Sequence, residues 1–302
     1  MKRILILLLT VSFFSCKETK DPSDKLNIVT TTTMITDLVK NIGGDAVTVQ
    51  GLMGAGVDPH LYKASEGDVS KLYNADIIFY NGLHLEGKLV EVFEKMETQD
   101  KTQVALAEYL DKNTLIGSEY FASNYDPHVW FDIHYYIQFA EKVAAILSEA
   151  DAANAETFQK NKENYVTKLK DLEAEIKTTI ATLPKQQRIL VTAHDAFNYF
   201  GKAYDFEVVG LQGLSTATEA GVQDVQRLSD FIIEKKVKAI FVESSVPRRT
   251  IEALQQAVLS KGAEVTIGGS LYSDALGNAG TEEGTYLGMF RYNVNTIVNS
   301  LK

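Results

Sequence analysis

The stretch from Thr157 to Leu183 contains no glycine and no proline, and its residues Phe158, Tyr165, Leu169, Leu172, Ile176 and Ile180 recur at helical spacing until Pro184 stops the pattern. One long amphipathic helix fits such a run. At 1.5 Å per residue, roughly 25 residues extend about 37 Å, the width of a compact lobe, so this helix is predicted to act as a rigid strut. A coiled-coil seam is the rival reading, and the apolar stripe lasts too few heptads for it.

On either side of the strut, short β-rich runs alternate with helical patterns. Before it come LNIVTTTT and MITDLVKNIG, AVTVQGLM and GDVSKLY, ADIIFYNG and KLVEVFEKM. After it come RILVTA and AFNYFGKAY, FEVVGLQG and VQDVQRLSDFIIEKK, AIFVES and TIEALQQAVLSKG, then AEVTIGG and a last helix from about Tyr286. Such alternation implies βαβ units and parallel sheets. The expected class is therefore α/β, with doubly wound lobes over residues 26–150 and 185–302 and the linking helix within 151–184.

Residues 1–15 stand apart from this pattern. Lys2 and Arg3 precede an apolar run from Ile4 to Phe14, which reads as a secretory signal. The run is about half the roughly 20 residues that span a bilayer. Cys16 follows it and is the only cysteine, which excludes an intramolecular disulfide and a cysteine-based zinc site. Its position resembles the acylation site of bacterial lipoproteins, although Phe13 and Phe14 depart from the usual Leu-small-small pattern and leave an ordinary signal peptide as the alternative. Residues 16–25 are polar and read as a tether. Losing Lys2 and Arg3 changes 30 basic against 40 acidic residues to 28 against 40, a net charge of -12 in place of -10. That field argues against a nucleic-acid partner and favours cations.

In open α/β sheets ligands bind beyond the carboxyl ends of strands. His60 lies in GVDPHLY after the AVTVQGLM run, His194 ends RILVTA, and Asp274 sits in LYSDALG after AEVTIGG. His128, in YDPHVWFD, immediately precedes a helix. Singly, each reads as a core or capping residue; together at strand ends they read as metal ligands. The tripeptide Asp-Pro-His occurs twice, at 58–60 and 126–128, in a chain with only five prolines. Proline stiffens each turn, and the aspartate two residues before the histidine either accepts from the other ring nitrogen or caps the turn. His84, in NGLHLEG, reads as a packing or rim residue, and His134 as a solvated one. Glu243, ending AIFVES, reads either as an acceptor for a neighbouring ligand or as a helix cap.

In this order DPHLY, NGLHLEG, DPHVWFD, VTAHDAFNYF, FVESS and YSDALG resemble the zinc/manganese-specific solute-binding proteins of ABC importers, and GLQGLSTATEAG and GTYLG resemble the TroA type in particular. The likeness runs from about Leu26 to the end of the chain. It implies two Rossmann-like lobes joined by one rigid helix. It also implies a metal at their interface on His60, His128, His194 and Asp274, and hence an extracytoplasmic, membrane-anchored, monomeric receptor serving an ABC permease. Manganese receptors of this type place Glu where His194 stands, and zinc-restricted members carry a His-rich acidic loop that is absent between His60 and His128. Three imidazoles and one carboxylate suit Zn²⁺, whereas a bidentate Asp274 would admit Mn²⁺ or Fe²⁺. The ligating histidines must be neutral, so capture is expected to weaken below about pH 6.5.

Two rival functions follow from the same residues. A metallohydrolase would use a similar cluster, but catalytic zinc sites keep a position open for water, and no nucleophile elbow, phosphate loop or HExxH motif is present. No enzymatic activity is therefore expected. A surface adhesin or structural lipoprotein with a bound metal is the other alternative, and no adhesive face is marked in the sequence.

Overall fold

A computed structural model describes residues 25–97, 101–119 and 121–302. The signal segment, Cys16 and the tether up to residue 24 lie outside the described residues. The first lobe contains β1 (Leu26–Thr30), α1 (Thr33–Gly43), β2 (Val47–Gly51), α2 (Glu66–Asn74), β3 (Ile77–Tyr80), α3 (Val90–Glu97), β4 (Thr102–Ala105) and α4 (Ile133–Ala150). The second contains β5 (Ile189–His194), α6 (Asn198–Tyr204), β6 (Glu207–Gln212), α7 (Val222–Lys235), β7 (Ala239–Glu243), α8 (Arg249–Ser260), β8 (Thr266–Leu271) and α9 (Tyr286–Leu301). All sheet pairings are parallel, and the strand orders β2-β1-β3-β4 and β6-β5-β7-β8 repeat one topology. In each lobe the order reverses beside the first strand, which opens a crevice at the carboxyl ends of the strands. β4 is the element that sequence patterning does not reveal.

Between the lobes runs α5 (Ala155–Ala181), 27 residues and so about 40 Å long. It buries Phe158, Tyr165, Leu169, Leu172, Ile176 and Ile180, the predicted stripe. It ends just before Pro184, because a proline disfavours helical geometry in the residue ahead of it. α5 is no free-standing rod, since it packs along α4, α1 and α9.

Alternation along the strands explains how the lobes join. Ile28 and Phe79 of the first sheet, with Leu190, Ala239 and Phe241 of the second, point into one apolar core shared by both lobes. The intervening residues Val29 and Ile78 face a separate cluster under α2 and α3. Val191, Ile240 and Val242 face another, under α7 and α8. Within the shared core Tyr136 of α4 stacks on Tyr286 of α9, ring centroids 3.7 Å apart. The Tyr286 hydroxyl donates to the Trp130 carbonyl at 2.6 Å. Among the described residues no helix is long and apolar enough to cross a membrane.

Candidate metal centre

Each candidate ligand reaches the crevice by a different local device. Pro59 and Asp58 shape the first turn, where Asp58 Oδ1 accepts the His60 backbone N–H at 2.8 Å. In the second turn Asp126 Oδ1 accepts the His128 backbone N–H at 2.9 Å and the ring Nδ1–H at 2.7 Å. The turn is braced from β3, because Asn81 Nδ2 donates to the Pro127 carbonyl at 3.0 Å. The Trp130 ring meets the His128 ring edge-on at 5.3 Å, and its Nε1–H donates to the Ser273 carbonyl beside Asp274.

His194 is the last residue of β5, and Glu243 is the last of its neighbour β7. Glu243 Oε1 accepts the His194 backbone N–H at 2.8 Å, while Oε2 lies 2.5 Å from Nδ1, a charge contact whose alignment falls short of a hydrogen bond. The acceptor reading of Glu243 therefore prevails over the helix cap. Asp274 sits in a loop that Leu276 pins to the first lobe, its N–H donating to Thr33 Oγ1 at 2.7 Å. Its tight path explains Gly288, where a Cβ would lie 1.9 Å from the Glu282 carbonyl oxygen.

The four donor atoms lie within 4.8 Å of one another, and all four residues are buried. His60 Nε2 is 3.3 Å from His128 Nε2, which is 3.6 Å from Asp274 Oδ1. His194 Nε2 is 3.3 Å from Asp274 Oδ2. Because Asp126 holds Nδ1 of His128, the ring turns Nε2 inward, toward the other ligands. Asp274 Oδ1 and His194 Nε2 are buried with no hydrogen-bond partner. Buried polar atoms left without a partner are costly, and a cation seated among them relieves that cost; three imidazole nitrogens with one carboxylate fit a divalent transition metal.

Burial and neighbouring charge act in opposite directions on His60 and His194. Burial, outweighing Asp274, lowers His60 to about 3. At His194 burial acts downward, yet the Asp274 and Glu243 carboxylates outweigh it and hold the imidazole well above its ordinary value. Asp274 is lowered, because the three histidines overcome the effect of its burial. A proton and a metal compete mainly at His194.

The other two histidines stay outside the cluster. His84 is exposed at a backbone φ of +62°, its ring 6.2 Å from that of Phe121. His134 points to solvent and pairs with Glu173 at 3.2 Å. One partner escaped sequence reasoning: Thr216, in GLSTATEAG, donates through Oγ1 to Asp58 Oδ2 at 2.6 Å, across the lobes.

Comparison with known proteins follows the same lines. The family of the periplasmic zinc-uptake complex component A, ZnuA, matches residues 28–300. The manganese-binding lipoprotein MntA of Bacillus subtilis is 50% identical over 283 residues, 94% of this chain and 92% of that protein. The zinc-binding protein TroA of Treponema pallidum is 47% identical over 274 residues, 91% and 88% of the two chains. Its solved structure superposes with a TM-score of 0.89, covering 92% of this chain and 99% of that one. The metal ABC transporter substrate-binding lipoprotein ScbA of Streptococcus cristatus is 34% identical over 309 residues, 99% of this chain and 97% of that protein.

Proposed function

The chain belongs to the periplasmic zinc-uptake component family, and from that premise we propose that it is an extracytoplasmic receptor that captures a divalent zinc or manganese ion and delivers it to an ABC permease. The observation that carries this reading is the convergence of four buried ligand atoms, from His60, His128, His194 and Asp274, within 4.8 Å of one another, with Asp274 Oδ1 and His194 Nε2 left without a hydrogen-bond partner. A closed donor set suits a carrier, which must shield its cargo, better than a catalyst, which needs an open coordination position. We therefore assign no enzymatic activity. The two lobes, over residues 26–150 and 185–302, supply two ligands each.

Relatives at 50% and 47% identity are named for manganese and for zinc respectively, so the likeness supports the class of metal and leaves the ion to chemistry. Three imidazoles with one carboxylate, and the Irving–Williams order, favour Zn²⁺ in affinity. The lipoprotein names of the relatives support Cys16 as the acylated anchor of the mature chain.

Metal analysis of the purified mature chain, after loading with zinc and manganese in competition, tests the reading. One ion per chain with zinc in excess is the expected result, together with metal-dependent growth of a strain lacking the gene. A chain that holds neither ion after loading overturns it.

A further inference from the structure

We propose that Thr216 is a positioning residue for His60, acting through the Asp58 carboxylate, and that this bond between the lobes sets how fast a bound ion is released. The inference rests on the four-ligand reading above and adds to it a residue that touches neither metal nor ligand.

The argument begins with the two oxygens of Asp58. Oδ1 accepts the His60 backbone N–H at 2.8 Å, so the carboxylate and the turn that carries the imidazole move together. Oδ2 accepts the Thr216 hydroxyl at 2.6 Å, the short separation of a charge-assisted bond. Thr216 belongs to the other lobe, on the loop between β6 and α7, and is itself buried. That loop is braced where Gln212 Nε2 donates to the Thr218 carbonyl at 3.2 Å. The chain of contact from a fixed strand end to the ligand is thus Gln212, the 213–221 loop, Thr216, Asp58 and His60.

The bond also lines a depression that runs from the surface toward the cluster. This depression, of about 230 Å³, is lined by Asp58, Leu61, Gln212, Thr216 and Ser245. It meets solvent at Leu61, which is 48% exposed, and reaches inward to Ser245, whose hydroxyl lies 3.3 Å from Asp274 Oδ2. An ion leaving Asp274 by this route would pass the Asp58 to Thr216 bond, and loosening that bond frees the turn that carries His60. Nothing comparable frees the other histidines, because carboxylates lie against the Nδ1 atoms of His128 and His194 and both rings are fully buried. Affinity changes at such contacts appear mainly in the dissociation rate.

The test uses the full mature chain loaded with Zn²⁺, with dissociation followed by stopped flow into an excess of a chromophoric chelator. T216V, which keeps the side-chain shape and removes the hydroxyl, is expected to release zinc about tenfold faster, the equivalent of about 1.4 kcal/mol. T216S, which keeps the hydroxyl, should stay within about twofold of the parent chain, and the association rate should not move. Should T216V fail to fold, D58N weakens the same bond while leaving an acceptor for the His60 N–H, and the same acceleration is expected. Release unchanged in T216V or D58N overturns the proposal, as does equal acceleration in T216S. A parent chain that binds no zinc, or an H60A chain that binds it undiminished, overturns the four-ligand reading, and the proposal with it.

Discussion

The two Asp-Pro-His turns share a tripeptide and a backbone bond, Asp58 to His60 at 2.8 Å and Asp126 to His128 at 2.9 Å, yet they hold their imidazoles in different ways. Asp126 also accepts from the ring Nδ1–H of His128, and its second oxygen accepts from Asn198 Nδ2 of the other lobe at 3.0 Å. Trp130 and Asn81 close the frame from two further directions. Asp58 likewise gives its second oxygen to a donor of the other lobe, Thr216, but meets only the backbone N–H of His60, and His60 keeps 4% of its surface where His128 keeps none. Both turns are thus tied to the second lobe through their aspartates, but one aspartate grips the imidazole ring as well as the backbone and the other grips the backbone alone. Stiffness is conferred by what surrounds the turn.

Four measurements break or sharpen that contrast. The largest effect is expected from removing the imidazoles themselves, with zinc affinity falling in both H128A and H60A beyond the roughly 10–100-fold that loss of an orienting acceptor brings. The two should part in stability: H128A strands the buried Asp126 carboxylate and lowers the stability of the metal-free chain by about 1–3 kcal/mol, while H60A lowers it less. Equal losses in chemical denaturation would erase the distinction.

The next effect concerns the aspartates. D126A is expected to weaken zinc binding by roughly 10–100-fold, with metal-free stability also reduced. D58A should weaken it by roughly tenfold, nearly all of it through faster release. Calorimetry paired with chelator trapping separates the two, and a slower association rate in D58A would contradict the account.

Acidity supplies the third. His194 holds its proton well above the ordinary value because of Asp274 and Glu243, despite burial. Below that raised pKa an incoming ion must displace one proton, so affinity should fall about tenfold per pH unit as pH drops. His60, lowered to about 3 by its burial, adds nothing to this slope near neutrality. E243Q removes one of the raising carboxylates, so the proton is lost at lower pH and the slope between about pH 5.5 and 7.5 should flatten. Zinc competition titrations across that range read it directly. An unchanged slope would remove His194 from the account.

Asn81 should give the smallest change. N81A leaves the Pro127 carbonyl without its donor, for a loss of about 1 kcal/mol in stability and roughly threefold in zinc affinity. A loss of affinity as large as that of D126A would show that the frame around His128 is less redundant than its contacts indicate.

Much of this was readable in the chain. The stripe from Phe158 to Ile180 is buried along α5, and the polar residues after strands meet in one crevice, because periodicity and strand ends are local properties. β4 was not readable: four residues at a sheet edge, only Val104 of them buried, are too few to show alternation. Nor could the chain disclose the division of labour between Asp58 and Asp126. Their partners Thr216 and Asn198 lie 158 and 72 residues away, and tertiary packing alone selects which donor faces which oxygen. Glu243 belongs to the same class, since its value to His194 depends on β5 and β7 being neighbours in the sheet.

The apolar core that runs through both lobes limits how such a receptor can announce that it is loaded. Swinging the lobes wide apart would part Tyr136 from Tyr286 and put both rings in water, at about 1.5–3 kcal/mol for each large side chain exposed. A receptor that keeps this core closed when loaded can differ from the empty one only in the loops around the crevice, Leu61 among them. A permease that discriminates full from empty must read a small patch closely, in the way a key is told apart by one tooth.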